Sequence, residues 1–144
     1  MAGLFGPMRP EQHLTDLFAS AGLVASAVDV ARFSIALDQG ALLRPSTLAR
    51  AYRPAIEAAG ATPKFGLPWF LQEYRGSALA WQFGQTFESS SLLIKIPEQQ
   101  VTFVVLANSD GLSRRRRLGE HGNVLAEPAA TLFLAWYSSG RRLR

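Results

Sequence analysis

The sequence contains no cysteine and only two lysines and two histidines. The absence of cysteine rules out disulfides and thiolate metal sites, and it is compatible with any cellular compartment. No apolar run approaches the roughly twenty residues needed to span a bilayer. Residues Met1 to Pro7 lack the basic start and long apolar stretch of a secretory signal. We therefore expect no membrane span, and the composition leaves the compartment open.

The residues that are present indicate a globular domain. A chain of 144 residues with 48% hydrophobic and 18% charged residues is typical of a folded protein. Arginine supplies thirteen of the fifteen basic residues, and four of these form the run Arg114–Arg117. Such a run could contact phosphate, but no aromatic residues interleave with it, so we interpret it as a solvated loop. We expect no nucleic-acid partner.

The stretch from Trp81 to Asp110 predicts three consecutive strands, around which the rest of the chain is organised. Val101–Ala107 is apolar at both parities, which indicates a strand covered on both faces. Pro97 closes the strand before it, and the polar residues 97–100 have the length of a hairpin turn. With the segments upstream, we predict one antiparallel sheet with strands near 66–74, 78–84, 89–96 and 101–107.

Helix signals flank these strands. Ser26 can cap a helix near 27–38, with Asp29 in the capping-box position and Gly40 at its end. Pro45 opens a second helix that should stop near Arg53. A third is predicted near 128–138, because proline is favoured at the first helical position. Its expected apolar stripe consists of Ala129, Leu132, Phe133 and Trp136, and Gly140 is expected to end it. The predicted fold class is α+β of the sandwich type, an antiparallel sheet flanked by helices.

Two blocks of the sequence together resemble a known family. The first runs from Gln82-Phe83-Gly84 at a strand end, through the Pro97-Glu98 turn, to a strand ending Leu-Ala-Asn at Asn108; the second is Ala21 to Leu43. Their order and spacing resemble the C-terminal part of the serine β-lactamase and penicillin-binding-protein superfamily, in particular the class C β-lactamase-related esterases and peptidases. The resemblance implies a partial β-lactamase/transpeptidase-like fold. It divides the chain into a poorly defined segment 1–20, the family-like part 21–140 and a basic tail 141–144.

The nucleophile motif of that superfamily is missing from these residues. Its serine sits in Ser-x-x-Lys, where the lysine helps to activate the hydroxyl. No serine of this chain has a lysine three residues on, and the nearest approach is Ser91 with Lys95. Tyr-x-Asn, a form of the second motif, is also absent. We therefore expect a chain that matches the C-terminal half of the family and is inactive by itself.

The resemblance assigns substrate-side roles to four residues. Gln82 stands in the place of the lysine or histidine of the family's third motif, and Phe83 replaces its usual hydroxyl residue. Gly84 corresponds to the glycine that lets substrate lie against the strand. The backbone N–H of Gln85 falls where the family has an oxyanion donor. The alternative is that Gln82-Phe83-Gly84 is only a strand end.

Other candidate sites have weaker signals. His13 and His121 lie in polar contexts without carboxylates at a helical ligand spacing, so we interpret both as surface residues and expect neither metal nor cofactor. Asp29 or Asp110 could form a triad with a histidine and a serine, but such triads are recognised by geometry.

Two hypotheses about function follow. The first is a C-terminal fragment or degenerate remnant of a β-lactamase-related serine hydrolase, which would cleave an ester, amide or β-lactam through an acyl-serine if an N-terminal half completed it. The second is a non-catalytic binding or structural module that keeps the sheet and helices. The resemblance also implies that N-terminal strands complete the sheet, and no strand signal precedes Ala21. We therefore expect one unpaired sheet edge and a tendency to self-associate.

Overall fold

A four-stranded antiparallel sheet forms the centre of the structure. The computed structural model describes residues 23–54, 66–86, 88–113 and 116–141, the last without its side chain. Each strand pairs with its neighbours in sequence, in the order β1-β2-β3-β4. The strands are β1 Phe70–Tyr74, β2 Ser77–Gln85, β3 Ser90–Ile96 and β4 Val101–Ala107. The predicted α+β class and the antiparallel sheet are confirmed.

Helices cover both faces of this sheet. They are α1 Ala27–Asp38, α2 Pro45–Ala51, α3 Leu118–His121 and α4 Pro128–Arg141. Helix α1 begins as predicted, because the Ser26 hydroxyl accepts a hydrogen bond from the Asp29 N–H at 3.2 Å. Short 3₁₀ turns are Pro97–Gln99, Asp110–Leu112 and Val124–Ala126. The first of these turns is the predicted hairpin connection between β3 and β4.

The strand register separates the two faces. Trp81, Ile94 and Phe103 lie opposite one another on the side that we call the α4 face. The main core lies there, and it contains Leu79, Trp81, Leu92, Ile94, Ile96, Leu118, Val124, Ala130 and Leu134. Phe103 stacks on Phe133 of α4 with ring centroids 4.3 Å apart. This face therefore carries most of the hydrophobic stabilisation.

Ala80, Lys95 and Thr102 lie opposite one another on the other side, the α1 face. A smaller core of Leu37, Trp69 and Ala80 lies here, with side chains of α2 packed against it. Helices thus contact β4 on both sides, as the apolar pattern of this strand predicted.

The predicted start of the first strand is wrong. The strand expected at 66–74 begins only at Phe70, because the Gly66 N–H donates back to the Trp69 carbonyl at 2.7 Å and Pro68 has no N–H to offer a ladder. The second helix ends at Ala51 with Tyr52 as its C-cap, close to the predicted limit near Arg53.

The predicted face of the last helix is also wrong. Leu132 and Trp136 are 71% and 74% exposed, whereas Ala130 and Leu134 are buried. The true stripe follows the spacing of Ala130, Phe133, Leu134 and Tyr137, and of the residues predicted for it only Phe133 belongs to this spacing. Nor does Gly140 end the helix, which continues to Arg141. A glycine inside a helix costs only about 1 kcal/mol relative to alanine.

A buried charged group joins α1 to the sheet. The side chain of Lys95 is completely buried, and its Nζ lies 2.6 Å from the Ser34 hydroxyl and 2.8 Å from the Asp38 carboxylate. The Ser34 hydroxyl is also 3.0 Å from that of Thr102 on β4. A buried ammonium group is tolerated only when it is paired and hydrogen-bonded. We call this group of four residues the lysine clamp.

Tyr52, just after α2, lies beside the lysine clamp. Its ring packs against Trp69 with centroids 5.7 Å apart. Its hydroxyl is buried and has no hydrogen-bond partner among the described residues. Burial, with a smaller contribution from the Asp38 carboxylate, raises the pKa of Tyr52 above its ordinary value.

We predict that Lys95→Met lowers the free energy of unfolding by about 3 kcal/mol, because it leaves the Asp38 carboxylate without its partner. The double variant Lys95→Met/Asp38→Leu should lose less than the sum of the two single variants, and urea denaturation measures this coupling. Arg32→Met is the matched control: it removes an ion pair with Asp29 on the exposed side of α1 and should cost less than about 0.5 kcal/mol. A Lys95→Met variant as stable as the parent would show that the lysine clamp does not hold α1.

We also predict an alkaline dependence of stability that passes through Tyr52. Because its pKa in the folded state is raised, the native protein keeps the phenol protonated, while the unfolded chain loses the proton above about pH 10. The contribution of Tyr52 is therefore complete below that pH and is lost as the pH rises further. Urea unfolding between about pH 8 and pH 11 should show a smaller decline for Tyr52→Phe than for the parent. Parallel declines for the two proteins would contradict the assignment.

Candidate functional site

The residues that the sequence assigned to substrate binding lie at the end of β2. Alternation along the strand puts Gln82 and Gly84 on the α1 face and Phe83 on the α4 face. The structure therefore brings two of the assigned side-chain positions together and separates the third. Their role in binding stays a prediction.

Gln82 contacts the turn that precedes β1. Its side-chain Nε2 donates to the carbonyl oxygen of Pro68 at 3.0 Å. The amide is neutral, so it can orient a carbonyl group but supplies no charge where the family has a lysine or histidine. In this conformation one of its two donor hydrogens is already used within the protein.

At Gly84 an added side chain would meet the hydroxyl group of a serine on β3, which can rotate away. It pairs with Ser91, and a Cβ added at Gly84 would lie 2.5 Å from the Ser91 hydroxyl oxygen. The Gly84 carbonyl accepts a hydrogen bond from the Ser113 hydroxyl at 3.3 Å. The hydroxyl groups of two serines thus lie beside Gly84, which is half-buried.

Phe83 packs against the main core on the α4 face and is half-buried. Its ring lies 5.7 Å from that of Phe70 and 6.2 Å from that of Trp81, measured between centroids. On its other side, a Cβ added at Gly119 would come within 2.9 Å of the ring, so the short helix α3 covers it closely. The Phe83 side chain therefore lies on the opposite face of the sheet from Gln82 and Gly84.

The N–H of Gln85 points away from β3. The neighbouring Thr86 N–H donates to the Ser89 carbonyl, toward β3, at 2.8 Å. Because successive residues of an antiparallel strand direct their N–H groups to opposite sides, the N–H of Gln85 points away from β3. On that side β1 begins only at Phe70, which pairs with Trp81. The sheet partner thus ends four residues before Gln85.

One serine–lysine pair was missed by the sequence analysis. Ser34 and Lys95 are hydrogen-bonded although they are far apart in sequence, and their side chains are shielded from solvent. Ser91, the near miss, is four residues from Lys95 along β3 and hence about 13 Å away. The available signals were a lysine within the apolar run Leu92–Ile96 and a serine four residues before an aspartate on α1.

The Ser34–Lys95 pair is a structural contact and not a nucleophile with its base. Lys95 donates to the serine and forms an ion pair with Asp38, whereas a lysine that activates a serine must accept its proton. The burial of Ser34, which is 1% exposed, also denies access to an acyl substrate. This pair therefore belongs to the lysine clamp.

The remaining sequence candidates lie apart from this strand end. Asp29 hydrogen-bonds to Ser26 and Arg32 at the start of α1. His121 is exposed and lines a shallow cavity of about 540 Å³ with Leu71, Gln72, Gly122 and Asn123. His13, Arg114 and Arg115 lie outside the described residues, and Arg117 pairs with Glu120 at 3.3 Å in an exposed position.

The described ranges contain neither a cluster of metal ligands nor a membrane-spanning helix. No group of three or more His, Cys, Asp or Glu side chains there could hold a metal ion. No helix in the same ranges is both long and apolar enough to cross a bilayer.

Comparison with known proteins gives one result. The family model described as beta-lactamase matches residues 2–126, well over half of the chain. No curated protein and no solved structure matches the chain significantly. The resemblance found in the sequence is thereby confirmed: the chain belongs to the β-lactamase family and is related to the serine hydrolases.

Proposed function

We propose that the chain is a C-terminal fragment or degenerate remnant of a β-lactamase-related serine hydrolase, without a nucleophile of its own. The observation that carries the proposal is the family match over residues 2–126 in a chain whose 144 residues contain no Ser-x-x-Lys. Within it, residues 21–140 form the C-terminal part of the domain, preceded by segment 1–20 and followed by the basic tail 141–144.

The end of β2 is the substrate side of the proposed hydrolase. An acyl group would lie along the strand at Gly84, with its carbonyl oxygen directed at the N–H of Gln85. A serine from an N-terminal half would attack the carbonyl carbon, and the donor would stabilise the negative oxygen of the tetrahedral intermediate. The serine proton would pass to a base of that half and then to the departing alcohol oxygen or to the amide or lactam nitrogen as its bond to carbon breaks. Water then hydrolyses the acyl-serine to the free acid and restores the serine. Gln82 would orient the substrate without charge.

The second candidate is a non-catalytic binding or structural module. It is favoured by the engagement of the Gln82 amide with the Pro68 carbonyl, which uses the third-motif residue for internal structure. The lysine clamp supports the same view, because the described serine that contacts a lysine is sealed in the interior.

The isolated chain should not hydrolyse a chromogenic cephalosporin or a short acyl ester above the buffer rate. It should also remain unlabelled by fluorophosphonate and penicillin probes, because the activated serine is missing. Intact-mass spectrometry after incubation measures labelling, with a complete serine β-lactamase as positive control. Ser34→Ala is the matched variant, since Ser34 is hydrogen-bonded to a lysine.

Stoichiometric labelling of any single serine would overturn the inactive assignment. If labelling disappeared in Ser34→Ala while Ser91→Ala still reacted, the lysine clamp would contain the nucleophile.

The coding sequence upstream of Met1 separates the remaining alternatives. An in-frame Ser-x-x-Lys there identifies a truncated enzyme, whereas its absence favours a remnant or binding module.

A further inference from the structure

The outer edge of β4 has hydrogen-bonding groups that no described strand uses. The Thr86–Ser89 hydrogen bond shows that Ser89 directs its backbone groups toward β2. Because this direction alternates along a strand, Leu92 and Ile94 direct theirs toward β4. Their partners on β4, Val105 and Phe103, therefore direct their backbone groups toward β3. The N–H and C=O groups of Thr102, Val104 and Leu106 therefore point away from the sheet. As β4 is the last strand, no strand in the described ranges lies on that side.

This edge lacks the features with which proteins protect open strands. Its seven residues, Val-Thr-Phe-Val-Val-Leu-Ala, contain no charge, proline or glycine. The opposite edge of the same sheet does have them: β1 has five residues, Pro68 precedes it, and the outward-facing position Glu73 is charged and exposed. Lysine, glutamate and proline at an edge oppose pairing with another chain, so β4 is the less protected of the two edge strands in the described ranges.

The β4 edges of two copies of the chain are also complementary to each other. The outward residues are placed symmetrically about Val104, so a two-fold axis there pairs Val104 with itself and Thr102 with Leu106 of the second copy. Such an axis is perpendicular to the sheet, so the two α1 helices, which pack on β4, would lie on the same side. Leu106 is 40% exposed and Phe33, next to the clamp residue Ser34, is 57% exposed, which leaves apolar surface beside the edge to be covered.

We propose that two copies of the chain associate through antiparallel pairing of their β4 strands, which joins the two sheets into one continuous sheet. The occupant of the edge is a second copy because its donors, acceptors and uncharged side chains match those of the first in a closed two-fold arrangement. The proposal rests on the sheet edge and applies to the chain by itself, because strands of an N-terminal half that paired with β4 would exclude the second copy.

Sedimentation of the full chain over a concentration series tests the proposal, and a monomer–dimer equilibrium is expected. Val104→Pro removes only the outward N–H and leaves the bonds to β3 in place, so it should raise the dissociation constant by roughly thirtyfold through loss of two symmetry-related hydrogen bonds. Leu106→Lys, at a partly exposed position, should weaken association as well. Glu73→Pro on the opposite edge is the matched control and should leave the dimer unchanged. Circular dichroism confirms that each variant is folded.

Amide exchange supplies the second readout. Exchange at Thr102, Val104 and Leu106 should slow as the concentration of the parent chain rises. A monomer at every concentration would overturn the proposal, including a monomer whose three amides exchange slowly, because its edge would then be covered by its own chain. A dimer that persists in both Val104→Pro and Leu106→Lys would place the interface elsewhere and would also overturn it.

Discussion

The ammonium group of Lys95 has to find its counter-charge inside the fold, and this requirement fixes how helix and sheet meet. Ser34 and Asp38 lie one helical turn apart on α1, and both contact the same nitrogen. Sliding or rotating α1 would leave a charge in an apolar interior, which costs far more than moving a methyl group. An apolar contact could be repacked in several ways, whereas this arrangement of donors and acceptors has few alternatives.

The position of α1 in turn affects the neighbourhood of the candidate site. Leu37 of α1 packs with Trp69 and Ala80, and Trp69 belongs to the turn whose Pro68 carbonyl binds Gln82. A contact on β3 is thus linked through packed residues to the strand end that the family uses for substrate. This linkage is structural and holds whether or not the site ever meets a substrate.

The sheet could be predicted from sequence because alternation and turn residues are local signals. The bounds of α1 and β4 were obtained from a capping serine and from an apolar run closed by a turn. Phe83 shows the limit of a motif: the resemblance gave its place in the chain, but its side chain packs against the core. The last helix shows another limit: Phe133 belongs to two overlapping apolar stripes, and only packing on the sheet buries Leu134 and leaves Trp136 exposed. The lysine clamp joins residues 61 positions apart, and no local pattern reports such a contact.

The meander topology has a consequence for the order of folding. Each strand pairs with its neighbour in sequence through a short connection, so the sheet consists of local contacts and should form rapidly. The contact between α1 and Lys95 spans a much longer loop and should form later. Until then Lys95 lies on an uncovered sheet face in water, beside apolar neighbours that would otherwise favour aggregation. A charge at that point acts as a gatekeeper during folding, and its burial coincides with the arrival of the helix that covers the same face.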